Sequence, residues 1–129
     1  MLDGILRRAG LWAALWAVLV LVLTLIPAGD MPQVGWAAQV YLDKWVHAFL
    51  FGVQGVLLGA ALAARGPWPM ATAPYWWALL LAVLFGAVVE VLQEQMGLGR
   101  HADLLDLLAD TAGALSGLAL LRWRHRRPA

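Results

Sequence analysis

Nine polar side chains stand in three short clusters of an otherwise apolar chain, and their types suit proton transfer, anion binding or metal ligation. Asp43, Lys44 and His47 form DKWVH; Glu90 and Gln93 open and close EVLQ; Arg100, Asp103, Asp106 and Asp110 lie in RHADLLDLLAD. An imidazole among carboxylates suits acid-base work near neutral pH. Lys44 and Arg100 are the two cations available to stabilise an anion. His47 with Glu90, Asp106 or Asp43 offers the N/O donors of zinc or a harder cation, but no HExxH-like spacing accompanies them, so no metal and no other cofactor is expected. No strong nucleophile is evident. Cysteine is absent, and Thr111 and Ser116 lie in an apolar run, where hydroxyls more often bond back to their own helix. Three chemical readings can be drawn from these residues: a metal site, which lacks a supporting motif, general acid-base hydrolysis of a lipid-linked substrate with His47 or Glu90 as base, and a non-catalytic pocket gripping a polar headgroup or peptide.

The spacing within each cluster is helical. Asp43 and His47 are four residues apart and share a face; Glu90 shares one with Gln93 and Glu94; Asp103, Asp106 and Asp110 follow at i, i+3 and i+7. Each helix therefore carries one polar stripe. The last stripe continues into Gly113 and Gly117 of GALSG, a small-xxx-small pair that permits close helix contact, and GVLLG (Gly55, Gly59) repeats the pattern earlier.

The elements that must position these stripes are membrane spans. The chain is 63% hydrophobic and 13% charged, with mean hydropathy +0.75, far from a soluble composition. Four segments, 9–26, 45–64, 75–95 and 104–121, approach the about 20 apolar residues that span hydrocarbon. An all-α, integral membrane four-helix bundle over residues 1–129 is expected. The first segment follows Arg7 and Arg8 like a signal peptide, but it exceeds the usual apolar length and Ile26 is a poor cleavage context, so a retained helix is expected. RGPWPMATAP and GLGR interrupt the later spans.

Arg7, Arg8, Arg65, Arg122, Arg124, Arg126 and Arg127 fall on one side of this topology, and Lys44 and Arg100 on the other. That imbalance predicts cytoplasmic termini, and it accounts for the RWRHRR tail without a nucleic-acid partner. The tryptophans lie mostly near span ends, as interfacial anchors do. All three polar clusters then gather at the outer leaflet. Asp110 lies about 10 Å along its helix from Asp103, and a carboxylate at hydrocarbon depth costs roughly 2.5–3.5 kcal/mol on insertion scales unless paired, protonated or wet. Asp43, Glu90, Glu94, Asp103, Asp106 and Asp110 outnumber Lys44 and Arg100, even with His47 and His101 added. Some of these acids must be neutral, solvated or matched by a ligand.

The order DKWVH, EVLQ and GRHADLLDLLADTAGALSG resembles the VanZ-like family of small bacterial membrane proteins. Asp43, Lys44, His47, Glu90, Gln93, Arg100 and Asp106 match its pattern, whereas Asp110 stands where the family usually has Asn. The resemblance implies a protein of the bacterial inner membrane acting at the cell envelope, since the namesake is associated with resistance to the glycopeptide teicoplanin. The expected partners are membrane lipids and an envelope precursor or lipid headgroup held in an outward-facing polar pocket. A membrane-embedded hydrolase or transferase, and a structural subunit packing through its glycines, are the alternatives.

Overall fold

The computed structural model describes residues 4, 8–97 and 99–127, and these are helical with no strand among them. Four helices carry the architecture: α1 (Ala9–Thr24), α2 (Leu42–Ala63), α3 (Ala73–Gln95) and α4 (Leu104–Arg126). The last three are long and apolar enough to cross a membrane. At 16 residues, α1 reaches only about 24 Å, shorter than the expected span 9–26. It stops because Leu25 closes the final turn onto the Leu21 carbonyl and Pro27, just beyond, cannot continue it. The chain is a helical membrane bundle, and its exposed leucines, valines and tryptophans form the coat such a bundle presents to lipid.

Helix ends depart from the hydropathy boundaries for electrostatic reasons. α2 starts at Leu42, ahead of the expected 45, so Asp43 falls in its first turn, near the positive end of the helix dipole. Tyr41 caps it in the left-handed region at φ 51°, a conformation that costs a non-glycine residue roughly 1–2 kcal/mol. α3 carries Pro74 in its first turn, where no N–H is needed. α4 runs past the expected 121 because Arg124, His125 and Arg126 suit the negative end of its dipole. Hydropathy marks the lipid boundary; the helix itself ends where its dipole is satisfied. Arg7 of the basic flank and Leu98 of GLGR lie outside the described residues.

Contacts fix the directions. Ala13 meets Gln54 and Trp16 meets Leu50, so α1 and α2 are antiparallel. Ala48 meets Gly113, Gly52 meets Gly117 and Gly59 meets Leu118 and Leu121, so α2 and α4 run parallel. Tyr75 pairs with His125, while Gly86 faces Asp110, so α3 opposes both. This up-down order brings the ends of α1 and α3 together with the starts of α2 and α4.

The α2–α4 crossing is the tightest packing in the bundle. A Cβ on Gly113 would run into the backbone of Ala48, one on Gly117 into the carbonyl of Gly52, and one on Gly55 would sit 2.9 Å from the Ala114 carbonyl oxygen. Gly113 and Gly117 thus do what GALSG suggested, letting two backbones touch. On α2 the facing residues are Ala48, Gly52 and Gly55, because Gly59 meets leucine side chains instead. Val20, Leu50, Phe51 and Val89 fill the core below the polar end, with Trp16, Leu21 and Phe85 against them. Ala9, Ala60 and Leu121 fill the opposite end.

Candidate polar site at the junction of four helix ends

Lys44 is the first tie. Within the first turn of α2, its Nζ donates to Asp43 Oδ2 at 2.8 Å, Asp103 Oδ2 at 2.6 Å and Asp106 Oδ1 at 2.6 Å. An ammonium has three donors, so all are committed, and Lys44 fastens α2 to the start of α4 instead of standing free for a ligand anion. Asp103 is held by its sequence role as well: it is the N-cap of α4 and accepts from the Leu105 amide at 2.8 Å. The Lys44 hydrogen bond, reinforced by that amide, holds the Asp103 carboxyl below the usual carboxylate range.

His47 lies one turn deeper and is buried. Its Nδ1 is 2.8 Å from Asp110 Oδ1 and its Nε2 is 3.8 Å from Asp106 Oδ2. The helical face it shares with Asp43 does not make them partners, contrary to the spacing: Asp43 is turned outward onto Lys44, and the acids that meet the imidazole arrive from α4. Asp110 is fully buried. Gly86 of α3 leaves the room for it, since a Cβ there would lie 2.9 Å from Asp110 Oδ2.

Glu90 closes the α3 side. Its Oε2 accepts from the Asp103 amide at 2.7 Å, so the carboxylate also holds the start of α4. Glu90 Oε1 and Asp110 Oδ2 are buried and have no hydrogen-bond partner among the described residues. Gln93 is buried and donates to the Thr24 carbonyl at 2.8 Å, which ties the end of α3 to the end of α1. Glu94 stays at the rim, accepting from Ala102 N at 2.7 Å beside His101.

Arg100 behaves differently from the rest. Its Nη1 reaches Met31 Sδ at 3.0 Å and lies 3.5 Å from the Ile26 carbonyl. Among the described residues it forms no ion pair. It does line the same cleft as Asp43, Lys44, His47 and Asp103, a cavity of about 600 Å³. The loop after α1 and the outer face of α2 supply its apolar walls, including Val34, Ala37, Tyr41 and Leu50.

Three residues that spacing did not single out support the site. Gly86 carried no distinguishing signal, being one glycine in an apolar run. Gln54 did carry one, as a lone amide deep in α2; it is buried, donates to Ala13 at 3.3 Å and leaves its Oε1 unpartnered. Trp16 stands in the middle of α1, away from the span ends where most of the tryptophans lie; its indole N–H donates to the Leu50 carbonyl at 2.8 Å and braces α1 against the turn below His47. Thr111 and Ser116 bond to Leu107 and Ala112 in their own helix and stay outside the site.

The assembled groups can hold a proton between His47 and Asp110, orient a small ligand in the cleft, or ligate a cation. No curated protein and no solved structure matches the chain. A family model described as VanZ/LLP1 matches residues 8–125, a stretch that includes every residue of the site. On that match, carried over almost its entire length, the chain belongs to the VanZ/LLP1 family.

Proposed function

We propose that the cleft binds the polar headgroup of an envelope lipid or lipid-linked precursor at the outer leaflet of the bacterial inner membrane, with both termini in the cytoplasm. One observation carries this reading: Arg100, unpaired with any described carboxylate, lines a cleft of about 600 Å³ whose other walls are largely apolar. Such a combination suits an amphiphile. A phosphate or carboxylate meets the guanidinium, while the first carbons of the lipid lie against Val34, Ala37 and Leu50. The orientation is supported by the charge asymmetry, because Arg65, Arg122, Arg124, Arg126 and Arg127 all belong to the opposite end of the bundle.

Binding of a soluble short-chain phosphatidylglycerol to the purified protein, followed by tryptophan fluorescence, tests the reading. Loss of a charge-assisted hydrogen bond of about 1.5–3 kcal/mol makes Arg100→Ala bind more than roughly tenfold more weakly. Equal binding by wild type and variant refutes it. A role in teicoplanin-type resistance rests on the family relationship alone, and a susceptibility assay with wild type and Arg100→Ala tests that separately.

The buried His47–Asp110 pair, at 2.8 Å, favours a second reading. Here His47, oriented by Asp110, acts as base toward water or a hydroxyl in the cleft, and the protein hydrolyses or transfers a lipid-linked group. Turnover of lipid-linked phosphates by wild type and not by Asp110→Asn is the expected result; no turnover of any of them removes this reading and leaves the binding one intact.

A further inference from the structure

We propose that His47, Glu90 and Asp110 form a site for a divalent transition-metal cation of the zinc or manganese class. The three residues come from α2, α3 and α4, and one donor atom from each lies within 4.8 Å of the other two. All three side chains are nearly or wholly removed from solvent, at 3%, 6% and 0% exposure. Two carboxylate oxygens, Glu90 Oε1 and Asp110 Oδ2, are buried without a partner. A packed interior seldom leaves such atoms unpaired, and a bound ion is one of the standard ways of satisfying them.

Charge leads to the same ligand. With a neutral imidazole, the two carboxylates carry −2 in a region packed against Phe51 and Val89. Lys44 does not offset it, because its three donors are spent on Asp43, Asp103 and Asp106. A dication brings the set to neutrality, whereas a monovalent ion leaves half the charge buried. One imidazole nitrogen and two carboxylate oxygens suit Zn²⁺ or Mn²⁺ better than Ca²⁺, which takes six or more oxygens.

The surroundings have the form of an outer ligand sphere. His47 Nδ1 is the nitrogen turned toward Asp110, and Nε2 faces Asp106 at 3.8 Å. An ion on Nδ1 therefore leaves Nε2–H directed at a carboxylate, the arrangement that fixes the tautomer of metal-bound histidines. Asp106 is in turn anchored by Lys44 at 2.6 Å. Three protein ligands leave a further position open for water or substrate, and His47 is the member of the set that also lines the cleft. Residue type alone pairs His47 with Glu90 as donors, but spacing along the chain does not bring Asp110 to them, since each donor stands on a different helix.

The inference is independent of headgroup binding. The full-length protein, purified in detergent and stripped with chelator, is titrated with Zn²⁺ alone and with Mn²⁺ alone, and bound metal is measured after gel filtration. About one ion per chain is expected for wild type. Glu90→Gln and Asp110→Asn, both near-isosteric, weaken binding beyond the roughly 10–100-fold that loss of an outer-sphere partner costs. Glu94→Gln, at the rim beside His101, leaves it unchanged. Replacement by Co²⁺ gives a visible spectrum in wild type that Glu90→Gln loses, a readout that needs no comparison of stabilities. Less than a tenth of an ion per wild-type chain overturns the proposal and leaves shared protons as the means of neutralising the acids. Retention of the ion by Glu90→Gln and Asp110→Asn also overturns it, and loss in Glu94→Gln then assigns the metal to the rim.

Discussion

Gly113→Ala adds one methyl group where α2 and α4 meet, and the structure fixes what that methyl encounters. The new Cβ would lie 2.7 Å from both the carbonyl carbon and the Cα of Ala48 and closer still to its carbonyl oxygen, against 3.4 Å for ordinary contact. The two helices must separate by at least about 0.7 Å, since backbone has no rotamer with which to give way. Overpacking of this kind costs about 1–3 kcal/mol. The damage extends to the site. Lys44–Asp106 and His47–Asp110 bridge the same two helices within a turn or two of the crossing, at 2.6 Å and 2.8 Å, and neither tolerates that separation without lengthening. Gly59→Ala is the matched control, because its Cβ would meet Leu118 Cδ2 at 2.6 Å, the far end of a flexible side chain that can turn aside. Thermal unfolding in detergent, followed by tryptophan fluorescence, should show a large loss for Gly113→Ala and a small one for Gly59→Ala. Equal stability of Gly113→Ala and wild type, or equal damage from the two substitutions, refutes a backbone-to-backbone crossing.

Lys44→Met removes the cation shared by Asp43, Asp103 and Asp106; Asp43 and Asp103 are partly solvated but Asp106 is buried, so the expected cost is about 3 kcal/mol, the lower end of the range for a buried pair. The pH dependence has a definite sign. Asp103 titrates below its ordinary value when folded, so its stabilisation is complete above the unfolded value of about 3.9 and fades as pH falls through the lower folded one. Wild type should therefore lose stability through that acid window, and Lys44→Met should lose less of it; parallel curves would dissociate Asp103 from Lys44. The absence of native cysteine makes topology directly measurable. Ala38→Cys, in the loop beside the cleft, should react with a membrane-impermeant maleimide in spheroplasts while Arg126→Cys should not, and the reverse pattern inverts the proposed orientation.

Much of this arrangement was legible in the chain because helical periodicity assigns residues to faces. Asp106, Asp110, Gly113 and Gly117 do share one face of α4, and it does turn toward another helix. Periodicity does not say which helix that is. His47 therefore looked like the partner of Asp43, four residues away, although its bond is to Asp110, 63 residues away. Arg100 was grouped with the acids by count of charge, but it precedes the α4 cap in a loop, where backbone geometry, not helical phase, directs its side chain to Met31. The ends of α1 and α4 differ from the hydropathy boundaries for a related reason. Hydropathy reports solvent preference, while Pro27 and the basic final turn act on the backbone. The convergence of Glu90, His47 and Asp110 from three helices has no counterpart in linear spacing.

The parallel pairing of α2 with α4 has a consequence for how the protein is made. Lys44 and His47 enter the translocation machinery well before Asp103, Asp106 and Asp110 have been synthesised, and α3 must turn back across the bilayer in between. For that interval two basic side chains have no counter-ion from α4, and lipid is a poor substitute. A nascent chain should therefore hold the start of α2 at the aqueous surface until the final helix arrives, and one halted before Asp103 should stay loosely inserted and open to proteolysis.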